Sequence, residues 1–213
     1  DGKKFTCDTK PEVTKWMDYG KDHYATITFD NAPDGRHVAL AWMSNWQYAN
    51  QVPTKQYRSG NSIPRDLDLY EYDGDIYCGV TPSPEMTAAR PKKATKSLSE
   101  ACEMVVSLKG NATLTLSNAN GEKVVMTYDE KNRSFSMDRT NSGLKDFSED
   151  FAAVTSAPVH GKISKLRIFI DKSSIEVFDA EGRMAMTNLV FPTKPYNKVT
   201  VKGKAKYVVY NLK

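Results

Sequence analysis

Leu166-Arg-Ile-Phe-Ile-Asp-Lys-Ser-Ser-Ile-Glu-Val-Phe178 reads as two short strands around a turn. Leu166, Ile168 and Ile170 share one face while Arg167 and Phe169 share the other, which is the two-residue period of a pleated strand. Asp171-Lys172-Ser173-Ser174 supplies turn formers, after which Ile175 and Val177 resume one face and Glu176 opposes them. The same alternation recurs at His23 to Phe29, Val38 to Met43, Leu67 to Tyr72, Met104 to Leu108, Thr113 to Leu116, Val124 to Tyr128 and Tyr207 to Leu212. Asp34-Gly35, Asp73-Gly74, Lys109-Gly110-Asn111, Asn120-Gly121 and Glu181-Gly182 lie between such runs and read as hairpin turns. No stretch sustains helical periodicity with a cap at both ends, so the chain is expected to be all-β.

At 213 residues and 39% hydrophobic, the chain is long enough for one large or two small cores. Its charge of +4 arises from 30 basic and 26 acidic residues, with the lysines dispersed along the sequence. The one local basic cluster, Pro91-Lys-Lys-Ala-Thr-Lys96, reads as a solvated linker. Without a helix-turn-helix, zinc-finger or single-strand-binding signature, nucleic acid is not an expected partner. Nor is a membrane, because no apolar run approaches ~18 residues. Cys7, Cys78 and Cys102 are too few and too scattered for a disulfide framework, and none makes a C-x-x-C. His23, His37 and His160 are equally dispersed, so neither a metal nor another cofactor is expected.

Pro82, Pro84 and Pro91 with neighbouring lysines mark a composition break. It divides the chain into a β unit over residues 1–82, a linker over 83–95 and a second β unit over 96–213. The first unit holds all three tryptophans, Trp16, Trp42 and Trp46. About 80 residues make at most two propeller blades at roughly 40–50 residues each. The second unit has the size of a β-sandwich, about 100 residues. Closing its core between two sheets, the sandwich is expected to stand alone, while the first unit presents apolar blade faces and is expected to be adhesive.

Chemistry concentrates in Leu40-Ala-Trp-Met-Ser-Asn-Trp-Gln-Tyr48. Flat apolar faces alternate there with amide and hydroxyl groups, which suits a ligand such as a sugar ring that is apolar on one side and wet on the other. A pair of strand tryptophans can equally be blade core. Asp18 is explained by an Asx-turn over Asp18-Tyr19-Gly20, Tyr24 reads as core, and the alternation around Asp171 and Glu176 assigns both a structural role.

The wording also resembles a family. Asp18-Tyr-Gly-Lys-Asp-His-Tyr-Ala25 is similar to D-[YF]-G-x-D-[FY]-Y-A, with His23 where an aromatic is usual, and Trp42 to Arg65 resembles W-M-[SN]-N-W-x-Y-A…P-T…R-S…[IL]-P-R. Asp138-Arg139 to Ser142-Gly143 resembles a D-R-x-x-S-G turn, and the Leu166 to Phe178 hairpin followed by Gly182 and Phe191-Pro192 resembles a sandwich signature. Four such stretches in order identify the chain with family 32 glycoside hydrolases, the retaining β-fructosidases that include invertases, levanases and inulinases. The resemblance implies a partial five-bladed β-propeller, its last blade region, followed by a two-sheet β-sandwich.

It also implies a fructan or sucrose-type substrate hydrolysed with retention, an extracytoplasmic setting, and a fructose subsite faced by Trp42. Trp46 and Asn45 follow in the same block, Trp46 as substrate contact or rim packing, and Asp22 lies at the funnel mouth as a candidate polar contact. The family's nucleophile, acid/base and transition-state carboxylates belong to W-M-N-D-P-N-G, E-C and R-D-P motifs, and none of these is present in the sequence. No catalytic residue is therefore expected here, and the chain alone is expected to be inactive without an N-terminal propeller portion. The alternative is a non-catalytic carbohydrate-binding or purely structural sandwich. The absence of tryptophan from 96–213 opposes the binding module, while a structural role fits the second unit and is compatible with the family reading.

Overall fold

The computed structural model describes residues 2–7 and 9–212. Strands β1 (Tyr24–Thr28), β2 (His37–Met43), β4 (Arg65–Tyr72) and β5 (Asp75–Pro82) form an antiparallel sheet in that order, with β3 (Gly60–Asn61) paired to the end of β2. This up-and-down meander is one propeller blade. Its β4–β5 hairpin closes through Asp73 and Gly74, at φ 53° and 79°, the positive pair that a two-residue primed turn requires.

The segment expected as a linker carries a short helix, α1 (Pro84–Ala88), with Pro84 at its first turn. It is fastened on both sides. Glu85 accepts from Arg36, Arg90 forms a two-pronged pair with Glu103, and Thr95 bridges Val209.

The second unit comprises β6 (Cys102–Ser117), β7 (Lys123–Asp129), β8 (Ser134–Asn141), β9 (Val154–Pro158), β10 (Lys165–Asp171), β11 (Ser174–Asp179), β12 (Ala185–Leu189) and β13 (Lys198–Asn211). Hydrogen bonding runs continuously through β12-β11-β10-β6-β7-β8-β9, with β13 along the other side of β6. β6 is 16 residues long; its first half pairs β10 and its second half pairs β7. Its inward residues from both halves, Met104, Val106, Leu114 and Leu116, share one core with Met126, Met137, Ile168 and Val177. The sandwich is thus one sheet creased across β6 and β13 so that its two leaves face each other.

The crease corrects the reading of Lys109-Gly110-Asn111 as a hairpin turn. The strand continues through it, because β13 stays paired along nearly the whole of β6 and holds it extended. Gly110 sits at φ 139°, and on β13 the register slips at Gly203, where an added Cβ would lie 2.3 Å from the Asn111 carbonyl oxygen. Only glycine allows that close approach.

Two further cores are shared between the units. Met43, Tyr48 and Val52 pack with Phe151, Leu189 and Phe191, and Val80 packs with Phe169, Phe178 and Ala185. Every residue of β11 and β12 is buried, because the sandwich core covers one face and the blade covers the other. The expectation of a self-sufficient sandwich is corrected on this point. Its core closes, but one outer face is finished by the blade.

Candidate functional site

Trp42, near the end of β2, is half-buried, and Trp46 in the following turn is 71% exposed with its ring centroid 5.1 Å away. Tyr24 on β1 meets Trp42 edge to face at 6.2 Å and is 52% exposed, so it belongs to this aromatic corner and not to the blade core. The register slips between Tyr24 and Ile27, and Ala25 takes φ 48°. A bulge of this kind re-aims the side chain beside it.

Asn45 sits beneath the corner with its amide engaged. Its Nδ2 donates to the Lys21 carbonyl at 2.7 Å, and its Oδ1 accepts from the Gln47 N–H at 2.9 Å. The Asn45 carbonyl also accepts from the Tyr48 and Ala49 N–H groups, so this residue builds the turn that presents Trp46. One Nδ2 hydrogen remains for a ligand. Among the described residues, Ser44 Oγ and His23 Nε2 are buried without a hydrogen-bond partner. Burial first, and then the Arg65 charge, lower the His23 pKa to about 4, leaving a neutral ring at physiological pH.

The expectation for Asp22 is corrected by its surroundings. It is fully buried, with Oδ1 accepting from the Tyr48 hydroxyl at 2.5 Å and Oδ2 accepting from Arg139 Nη1 at 2.6 Å and the Leu189 N–H at 2.7 Å. Arg139 also donates to the Tyr48 hydroxyl and the Leu189 carbonyl, and its guanidinium lies 4.1 Å from the centre of the Phe151 ring. No lone pair of Asp22 faces solvent for a sugar to use. Burial, and then the Asp22 charge, raise the Tyr48 pKa well above its ordinary value, so this phenol remains a donor.

A second buried latch lies beside the first. Arg65 donates from Nη1 to Asp18 Oδ2 at 2.7 Å, and from Nη2 to Glu176 Oε2 at 2.7 Å and Thr187 Oγ1 at 2.5 Å. Asp18 Oδ1 accepts from Gly20 N–H, completing the expected Asx-turn, and from Thr187 N–H. Burial pushes the Asp18 pKa up, but the Arg65 charge and the hydrogen bonds from Thr187 and Arg65 outweigh it, and the net shift is downward. Glu176 is raised, since burial exceeds what Arg65 returns.

Backbone pairing runs between the two latches, with the Tyr19 N–H bonded to the Ala185 carbonyl and the Asp22 N–H to the Thr187 carbonyl. At Gly20 a Cβ would fall 1.8 Å from the Thr187 carbonyl oxygen, so this segment can lie along β12 only with glycine there. Arg65, Arg139 and Thr187 were not legible as partners. Arg139 did carry a signal: it shares the inward parity of Phe135 and Met137 on β8, and an arginine on an apolar face needs a buried carboxylate.

The two units correspond to two known family models. Residues 77–212 match the family described as glycosyl hydrolases family 32 C terminal, and residues 1–78 match the glycosyl hydrolases family 32 N-terminal domain. The chain belongs to glycosyl hydrolase family 32. It is 34% identical over 221 aligned positions to a levanase of Bacillus subtilis, covering 91% of this chain and 32% of that protein. It is 29% identical to an extracellular exo-inulinase of Aspergillus awamori, covering 91% of this chain and 42% of that one. The crystal structure of an exo-inulinase from Aspergillus awamori superimposes with a TM-score of 0.87 at 26% identity, covering all of this chain and 48% of that one. The chain therefore spans between about a third and a half of the length of these relatives.

Proposed function

We propose that this chain is the C-terminal part of a β-fructosidase that hydrolyses levan, inulin or sucrose linkages with retention, acting outside the cell. Residues 1–82 would supply the last blade region of the propeller, 83–95 the connection and 96–213 the sandwich that braces it. The observation that carries the reading is the corner of Tyr24, Trp42 and Trp46, in which two exposed rings flank the half-buried Trp42 in a member of this family. Trp42 would stack on the fructosyl ring, Trp46 would cover its outer side, and the remaining Asn45 N–H would meet a hydroxyl.

A retaining glycosidase needs two carboxyl groups about 5–5.5 Å apart, one as nucleophile and one as acid/base. Asp18, Asp22 and Glu176 are all buried in pairs with arginine. Both catalytic groups would therefore come from outside these residues. The relatives named levanase and extracellular exo-inulinase support the substrate class and the setting.

Two measurements on the chain itself test this. Incubated with levan, inulin or sucrose it should release no fructose above a buffer blank, and release would overturn the assignment of the catalytic groups. Tryptophan fluorescence should respond to fructo-oligosaccharide in the wild type and lose that response in Trp42→Ala. An unchanged response would remove Trp42 from the sugar face.

A further inference from the structure

The basic charge that looks dispersed in sequence is gathered by the fold. From Gly182 to Leu212 there are six basic residues and no Asp or Glu, whereas the whole chain carries only +4, so the remainder is net acidic. β13 carries four of the six, and its pleat turns them outward. Lys206 lies opposite Ser107 of β6, which lies opposite Lys165 of β10; Lys202 lies opposite Thr113. Lys109 and Lys204 sit at the crease, where a 490 Å³ hollow is lined by Ser107, Lys109, Gly203, Lys204, Ala205 and Lys206.

Lys109, Lys165, Lys202, Lys204 and Lys206 are all exposed, and among the described residues none of the five enters an ion pair. Two acids lie near the crease: Glu130 is taken by Lys162, and Asp129, which shares a hollow with Lys202, accepts from the Asn132 backbone and amide. Alternate residues of a strand are about 6.6 Å apart, inside the ~8 Å screening length of physiological salt, so these charges repel one another until an anion is bound.

Edge protection accounts for part of this. β13 pairs only with β6 along Lys198 to Lys206, and lysines discourage a further strand from adding there. It does not account for Lys109 and Lys165, which belong to interior strands of the sheet. Nor does the face suit a membrane or a single-stranded nucleic acid. The exposed large hydrophobic and aromatic residues, such as Trp46, Tyr57, Leu69 and Val154, all lie off β6, β10 and β13, leaving nothing here to insert into lipid or stack on bases. What accompanies the lysines is a row of hydroxyls, Ser107, Thr113, Thr115 and Ser117, on the outward side of β6. Arg167, two residues from Lys165 on β10, is mostly buried and held by Glu103, so lysines present the charge, and they read charge density without bidentate geometry.

We propose that this creased face of the sandwich binds an acidic polysaccharide, its carboxylates running along the lysines and its hydroxyls meeting the Ser and Thr row. The site is independent of the aromatic corner and does not rest on the fructosidase reading.

The test is the affinity of the 213-residue chain for oligogalacturonate across a salt series. Log affinity should fall linearly with log salt, with a slope set by the number of lysines engaged. Lys202→Gln/Lys204→Gln/Lys206→Gln should weaken binding about 10-fold or more at low salt and flatten the slope. A control triple with the same charge change, Lys55→Gln/Lys92→Gln/Lys93→Gln, should stay within about 2-fold. Lys109→Gln/Lys165→Gln removes no edge lysine, so it decides the matter if the β13 variant self-associates, and it too should weaken binding. Three results overturn the proposal: no binding by the wild type, equal losses in the patch and control triples, or equally tight binding to single-stranded DNA or anionic phospholipid vesicles.

Discussion

Replacing Asp22 with alanine removes the one carboxylate that answers Arg139, the Tyr48 hydroxyl and the Leu189 N–H together. Arg139 would remain in a site where its side chain is 0% exposed, with no counter-charge. Breaking a buried pair from one side costs about 3–5 kcal/mol, since the surviving charge keeps its desolvation penalty. For a chain of this length each kcal/mol moves Tm by about 2–4 °C, so the melting temperature should fall by about 6–20 °C. Because two of the three cores span both units, the loss should appear as one cooperative transition shifted as a whole. Urea and thermal unfolding followed by near-ultraviolet circular dichroism would report it. Adding Arg139→Met to Asp22→Ala should recover more than 1 kcal/mol, as the orphaned charge goes with its partner. If Asp22→Ala unfolds at the wild-type temperature, the latch reading is wrong. If it also weakens fructan binding, Asp22 returns as a substrate contact.

The shared cores bear on truncation. A chain starting at Thr95 would leave Phe169, Phe178 and Glu176 uncovered, and should be less stable and more prone to associate than the full chain by sedimentation; an equally stable monomer would show that the blade contributes little. Asp179 gives a pH signature. Burial first, and then the neighbouring Glu181 charge, raise its pKa to about 6 from 3.8, so its folded form holds a proton that the unfolded chain releases. The stability it contributes is present below pH ~4 and lost as pH rises through about 6, at a cost of up to about 3 kcal/mol. Asp179→Asn should therefore stabilise the protein at pH 8 and not at pH 3, and equal effects at both would refute the shift.

The strands were legible because their alternation is local, and the turns at Asp73-Gly74 and Asn120-Gly121 follow from glycine chemistry alone. Lys109-Gly110-Asn111 misled for the opposite reason, since pairing with β13, some 90 residues away in sequence, decides whether a glycine turns a strand or creases it. Burial of Asp22 and exposure of Tyr24 were out of reach in the same way. Each depends on which side of the blade the sandwich covers. Glu176 was placed on the correct face, but that this face meets Arg65 instead of water is a fact about the other unit. The family motifs marked positions without dividing their roles: Asp18, Gly20, Asp22, Arg65 and Arg139 fasten the units, while Trp42 and Trp46 face outward.

The proposed division between fastening and sugar-facing residues is tested most directly by the kinetics of Trp42→Ala in the longer β-fructosidase to which we propose this sequence belongs, with levan as substrate and Tm measured alongside. Losing the stacking face should remove about 2–3 kcal/mol of transition-state stabilisation, a 30- to 150-fold fall in kcat/KM, with Tm nearly unchanged. Unchanged kcat/KM with a Tm lowered by many degrees would contradict the account and make Trp42 part of the blade core.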